Sequence, residues 1–175
     1  MKRIIFSILV FTLVGIPRTD APKAPFSLSV VPTRNDETKS SISMARKTPD
    51  EFFVVLTNVT QETQAIWETW NSWGYQAISF ELTTSDGKKV VVSVKPQDFT
   101  VNFPSRFLIK PGEHQVFAIR LDDKWETRPS LAKKNEMPIT LKAIYEVTSA
   151  LEATQYKVWT GRIESHNYNL TLRQW

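Results

Sequence analysis

The sequence predicts an all-β fold, an antiparallel sandwich of about nine strands formed by residues 22–175. Three observations point there. Apolar residues recur at every second position in most of the hydrophobic runs, the period of a half-buried strand. Turn-forming pairs, Asp86-Gly87 and Pro111-Gly112, separate such runs. No helical period extends beyond two turns.

The first run, "FSLSVV" (26–31), puts Phe26, Leu28 and Val30 on one face and serines on the other. "EFFVVLTN" (51–58) is apolar on both faces, as a central strand would be. After the tryptophan-rich stretch "WETWNSWGY" (67–75), Ile78, Phe80 and Leu82 alternate with Ala77, Ser79 and Glu81. "SDGK" then leads into a run with Val90, Val92 and Val94 in phase. Asp-Gly between two such runs predicts a tight hairpin, because glycine accepts positive φ at little steric cost. "RFLIKPGEHQVFAIRL" (106–121) reads as two strands around a dipeptide suited to a type II turn, with Phe117, Ile119 and Leu121 on one face. "ITLKAIYEV" (139–147) turns Ile139, Leu141, Ala143, Tyr145 and Val147 inward and Lys142 and Glu146 outward. "YKVWTGRIE" (156–164) and "YNLTL" (168–172) complete the strands.

Two connections, 32–50 and 122–137, are long for structureless loops. If consecutive strands run antiparallel, connections fall at alternate ends. That count groups 32–50, the tryptophan segment, 95–105 and 122–137 at one elaborated end. The short turns at 59–63, Asp86-Gly87, Pro111-Gly112 and 149–154 fall at the other. Binding residues favour elaborated loops on a rigid scaffold.

The N-terminus carries a targeting signal. "MKR" is followed by the 13-residue apolar run "IIFSILVFTLVGI", shorter than the roughly 20 residues of a membrane-spanning helix. The expectation is a signal peptide over residues 1–21 and a secreted or periplasmic domain over 22–175. Gly15 and Ala21 are both candidate cleavage positions, and contact with a membrane is expected only if the segment stays attached.

The length of 175 residues suits one domain. The absence of cysteine excludes disulfides, thiolate metal sites and a Cys nucleophile. Removing residues 1–21 takes away Lys2, Arg3, Arg18 and Asp20, so the formal charge falls from +4 to +2. The remaining bases are interspersed with acids, unlike the concentrated basic face of a nucleic-acid binder. His114 and His166 stand apart, and no glycine-rich phosphate loop, G-x-S-x-G or H-E-x-x-H occurs. Asp122-Asp123 lacks an EF-hand frame. These readings predict no catalytic residues, no metal and no cofactor. The triplets Asn58-Val59-Thr60 and Asn169-Leu170-Thr171 match the acceptor pattern for N-glycosylation.

The tryptophans divide by position. Trp67, closing the third strand, is expected to fill the space between sheets. Gly74 suggests a bend that lets Trp73 fold back over the core. Trp70 and Trp125 are candidates for an exposed stacking surface. Trp70, Trp73, Tyr75 and Trp125 together make the expected ligand-contacting set.

"FFVVLTNVTQE", "ISFELTTSDGKKV", "DFTVNF" and "FLIKPGEHQVFAIRL" resemble, in their order, bacterial exported immunoglobulin-like domains. They are also similar to the β-sandwich domain of intracellular proteinase inhibitors. In both, a strand ending "L-T-N" leads to a "D-G-K" hairpin and a later strand follows "P-G-E". The resemblance spans under half of residues 22–175 and implies an immunoglobulin-like sandwich. The reading that follows is an exported, non-catalytic interaction module with a protein or polysaccharide partner. A carbohydrate-binding module and a proteinase inhibitor are its alternatives, and an envelope component pairing through the edge of "YNLTL" is a third.

Overall fold

The computed structural model describes residues 24–32, 34–36, 39–43, 49–126 and 136–173. The expected signal segment and its cleavage positions lie outside the described residues. The described chain is 54% strand and 4% helix, with several antiparallel sheets, so the all-β class holds.

Three strands form the first sheet: β1 (Phe26–Pro32), β4 (Glu51–Asn58) and β9 (His114–Arg120), in the order β1-β4-β9. β4 is central, as its two apolar faces predict. Its even positions, Phe52, Val54 and Leu56, are fully buried.

The larger sheet has the order β2-β3-β12-β10-β6-β7, with β11 also on β10. Its members are β2 (Arg34–Asp36), β3 (Lys39–Ser43), β6 (Ile78–Thr84), β7 (Lys89–Ser93), β10 (Glu136–Val147), β11 (Gly161–Glu164) and β12 (Tyr168–Arg173). The Asp86-Gly87 hairpin forms between β6 and β7, with Gly87 at φ +82°. Ile139, Leu141, Ala143, Tyr145 and Val147 all face the core, as expected. A third, two-stranded sheet pairs β5 (Gln64–Trp67) with β8 (Arg106–Ile109). The core lies between the large sheets, where Phe52 meets Phe80 and Phe117 meets Tyr145.

The structure corrects several expectations. Twelve strands are seen among the described residues, because the polar stretch 32–50 contains β2 and β3. Among the described residues there, only Ile42 is an apolar residue sunk into the core, too little to reveal a strand period. The expected strand 156–164 is shorter. A helix, α1 (Leu151–Gln155), precedes it, and only Gly161–Glu164 pairs. β12 is an edge only in part: β10 flanks one side throughout, and β3 runs parallel beside Thr171–Arg173 on the other. That shortens the expected pairing site at 168–172 to Tyr168–Leu170 among the described residues.

The strands either side of Pro111-Gly112 do not pair with each other. The turn itself forms, with Gly112 at φ +75° and Glu113 N–H donating to Lys110 O at 3.0 Å. Asn58 then separates the arms. Its N–H donates to Glu113 O at 3.1 Å, and its Nδ2 donates to Ile109 O at 2.9 Å.

The two-ended loop count holds in part. β1 ends and β4 begins beside the end of β9, because Pro32 pairs with Phe52 and Glu51 with Arg120. Connections 32–50 and 122–137 therefore leave the first sheet together, although 33, 37–38, 44–48 and 127–135 lie outside the described residues. The Asp86-Gly87 turn and 149–154, however, sit at opposite ends of β10. Thr84 pairs with Ile139, while Ile78 pairs with Tyr145. The alternation slips at β5, which has four residues and pairs outside both large sheets.

Candidate functional site

A sheet edge is defined by which peptide groups lack a neighbour. The Asn58–Glu113 bond fixes the phase of the β4–β9 ladder. In an antiparallel pair the bonded residues alternate, so Gln115, Phe117 and Ile119 turn their peptide groups toward β4. Val116 and Ala118 turn theirs away. Two bonds agree with this phase. Val116 O accepts from Gln115 Nε2 at 3.3 Å, and Arg120 O accepts from Asp122 N–H at 2.8 Å.

Most other edges among the described residues carry protection against further pairing. Lys95 N–H donates to Lys124 O and Glu126 N–H to Ser93 O, both at 2.8 Å, at the downstream end of β7, where Val94 bridges to Trp125. β2 is three polar residues. β11 has four residues and carries Arg162 and Glu164. On β1, Val30 N–H donates to Tyr168 Oη at 3.1 Å, and Ala65 O of β5 accepts from Trp159 N–H at 2.9 Å. β8 has only four residues and begins with Arg106. β9 has seven residues, no charge from Gln115 to Ile119, and only β4 beside it.

A groove of about 540 Å³ runs along this open edge. Phe117 and Ile119 are among its apolar lining, with Thr69, Tyr75, Ile78, Val94 and Trp125, and the charged Asp122 and Lys124 line it as well. The Glu51–Arg120 ion pair, at 3.0 Å, stands at one end. Thr57 Oγ1 and His114 Nδ1, 2.9 Å apart, mark the other end of the strand.

The tryptophan segment is tied to the residue before β8 by Asn71, which sequence reasoning missed. Its fully buried side chain donates from Nδ2 to Ser105 O at 2.9 Å. Its Oδ1 accepts from Trp73 N–H and Gly74 N–H at 3.1 and 3.0 Å. The only signal was Asn in "NSWG", a residue whose side chain mimics a turn. Gly74 has no room for a side chain, since a Cβ would lie 2.3 Å from Glu68 O.

The four expected ligand-contacting residues do not form one surface. Trp125 is buried against Phe80, with ring centroids 5.4 Å apart, and presents only part of a groove wall. Tyr75 is half-buried, meets Phe99 edge-on at 5.5 Å and lines the same groove. Trp73 is half-buried on Trp67, which fills the core as expected. Trp70 alone is exposed. It stands against Phe103, with rings 4.8 Å apart and inclined at 66°, and lines a smaller cleft that shares Thr69, Gln115 and Phe117 with the groove. Of the four, Tyr75 and Trp125 line the groove; Thr69 and the β9 edge were not singled out in the sequence.

The outer faces of the two large sheets differ in chemistry. On the larger sheet, Lys89–Glu81 stands beside a Lys142–Glu164–Arg162–Glu146 chain of ion pairs at 2.8–3.0 Å. Hydrogen bonds from Lys142 and Arg162 hold the Glu164 carboxyl below its ordinary range. On the first sheet the middle rows are uncharged: Val31–Phe53–Ala118 and Ser29–Val55–Val116. Val31 and Val116 are about half exposed there, at 46% and 51%.

Other polar groups have local tasks. Asp122 Oδ1 accepts from Lys124 N–H at 2.9 Å. The Glu113 carboxylate accepts from Lys110 N–H, which lowers its pKa. Tyr145 is stacked between Phe117 and Trp159, and burial pushes its phenol far above the ordinary value. Among the described residues no three histidines or carboxylates come together as a metal site. No family model matches this chain, and no curated protein matches it in sequence.

Proposed function

We propose that this chain is an exported, non-catalytic interaction module with an immunoglobulin-like sandwich. It takes an extended segment of a partner protein as an added strand beside β9. One observation carries the reading: among the described residues β9 is the long edge with no charge from Gln115 to Ile119, no bulge and no covering segment, and it opens onto a groove. Strand addition draws affinity from main-chain hydrogen bonds and specificity from pockets for alternate side chains. Val116 and Ala118 offer the bonds, and the groove beside Tyr75 and Trp125 offers the pocket. The uncharged outer rows of the same sheet extend the contact area. Export rests on "MKR" and the apolar run behind it.

The carbohydrate-binding alternative needs flat, exposed rings. Of the four candidates only Trp70 is exposed, and its neighbour Phe103 stands at 66° to it. The inhibitor alternative needs a protruding loop from 32–50 or 122–137, of which 33, 37–38, 44–48 and 127–135 lie outside the described residues.

Affinity capture from the native extracytoplasmic fraction tests the reading, with wild type compared against Ala118→Pro. Proline removes the outward donor and is tolerated on an edge. A partner captured by the wild type and lost at least about tenfold in a folded Ala118→Pro variant supports strand addition. Equal capture by both excludes it.

A further inference from the structure

A second, smaller cleft of about 190 Å³ adjoins the β9 groove and shares Thr69, Gln115 and Phe117 with it. That volume is below the roughly 300–1,000 Å³ of a small-molecule pocket and suits a single side chain. Trp70 and Phe107 line it, and Glu68 is the one charged residue that does. The groove, by contrast, is lined by two acids, Glu51 and Asp122, and two bases, Arg120 and Lys124. The cleft is therefore the part of this surface with an unbalanced charge.

Glu68 directly follows β5 and is half-buried. Its Oε2 accepts from Trp70 Nε1 at 2.6 Å and from Ser105 Oγ. Both donors are neutral, and among the described residues no cation pairs with this carboxylate. Arg106 follows Ser105 in the chain, but it alternates with Phe107 across β8, and its Nη1 donates to Tyr156 O. The loops around the cleft are fastened together. Ser72 N–H donates to Asn102 Oδ1 at 3.0 Å, and Asn102 Nδ2 donates to Ser72 Oγ at 2.8 Å. A carboxylate beside aromatic rings selects a cation, and arginine answers both parts. Its guanidinium pairs with carboxylates and stacks on aromatic faces.

We infer that the segment added beside β9 carries an arginine whose side chain enters this cleft and pairs with Glu68 beside Trp70 and Phe107. The inference rests on the strand-addition reading and names what the added strand must contain. Gln115, Phe117 and Ile119 share one face of β9. Ile119 lines the groove and not the cleft, whereas Gln115 and Phe117 line both. The direction from Ile119 to Gln115 thus runs from groove to cleft. An added strand turns every second side chain to that face, at intervals of about 7 Å. Its residue opposite Ile119 or Phe117 is apolar, and its residue opposite Gln115, two or four positions away, is the arginine.

Random dodecapeptides displayed on phage, panned on the immobilised full-length chain, test this. Peptides whose binding falls at least about tenfold on Ala118→Pro are edge binders. The inference predicts that they share an arginine two or four positions from an apolar residue. Citrulline in place of that arginine keeps its shape, removes its charge and weakens the synthetic peptide about three- to tenfold. In Glu68→Gln, whose side-chain oxygen still accepts from Trp70 and Ser105, the arginine and citrulline peptides bind alike. Edge binders without a recurrent arginine, an arginine replaced by citrulline without loss, or a citrulline penalty that persists in Glu68→Gln each overturn the inference and leave strand addition standing. A library that yields no edge binder overturns strand addition and this inference with it.

Discussion

Phe117 of β9 stacks on Tyr145 of β10 across the core, with ring centroids 6.1 Å apart and planes inclined by 28°. That contact anchors β9 through its inner face while one peptide edge stays open. Phe117→Ala is therefore expected to cost about 3–5 kcal/mol. Chemical denaturation reads the loss directly. A cost below about 1 kcal/mol would mean that β9 is not anchored in this way.

Asn58 should be as important as a core residue. Its Nδ2 donates to Glu62 O and Ile109 O, and its Oδ1 accepts from Thr60 N–H and Thr60 Oγ1. Asn58→Ala strands these groups, and the expected loss is about 2–3 kcal/mol. Asn58→Asp, which turns an oxygen toward carbonyl oxygens, should lose at least as much at neutral pH. Melting curves of both variants check this. A neutral Asn58→Asp would show that the side chain does not hold the end of β4 to the end of β8.

Gly74→Ala should destabilise the fold by about 1–3 kcal/mol, because the added methyl collides with the backbone at Glu68. It should also shift Tyr75 and so weaken binding in the groove more than Trp70→Ala does. Comparing the two variants in the capture assay tests that order.

The ion pairs on the larger sheet predict a specific pH dependence. Lys142 and Arg162 depress the folded pKa of Glu164. The contribution is present above the ordinary glutamate pKa and disappears as pH falls through the lowered folded value. Glu164 is well exposed, so solvent screening limits the contribution to about 0.2–1 kcal/mol. Glu164→Gln should therefore melt slightly below wild type at pH 7, and the gap should close as pH falls through the lowered folded pKa of Glu164. A gap that widens on acidification would contradict this.

The parts of this fold that were legible in the sequence are those where alternation reports burial. Phe52, Val54 and Leu56, the Asp86-Gly87 hairpin and the inward residues of β10 were all readable for that reason. Pairing partners were not. Pro111-Gly112 encodes a reversal, but the choice of different sheets for Arg106–Ile109 and His114–Arg120 depends on Asn58, distant in sequence. β3 carries one core residue, Ile42, so its pairing shows no hydrophobic period. Trp125 looked like an exposed aromatic on a loop, yet its backbone bridges to Val94 and its ring lies against Phe80. An open edge is a property of what fails to pair, which no local pattern records.

The amide protons of Val116 and Ala118 test the central claim most directly. Hydrogen exchange by NMR, with and without the captured partner, measures them individually. The account predicts fast exchange at both in the free protein and at least about tenfold slowing in the complex, as the added strand bonds them. Protection confined to other segments, with both amides still exchanging fast, would contradict it.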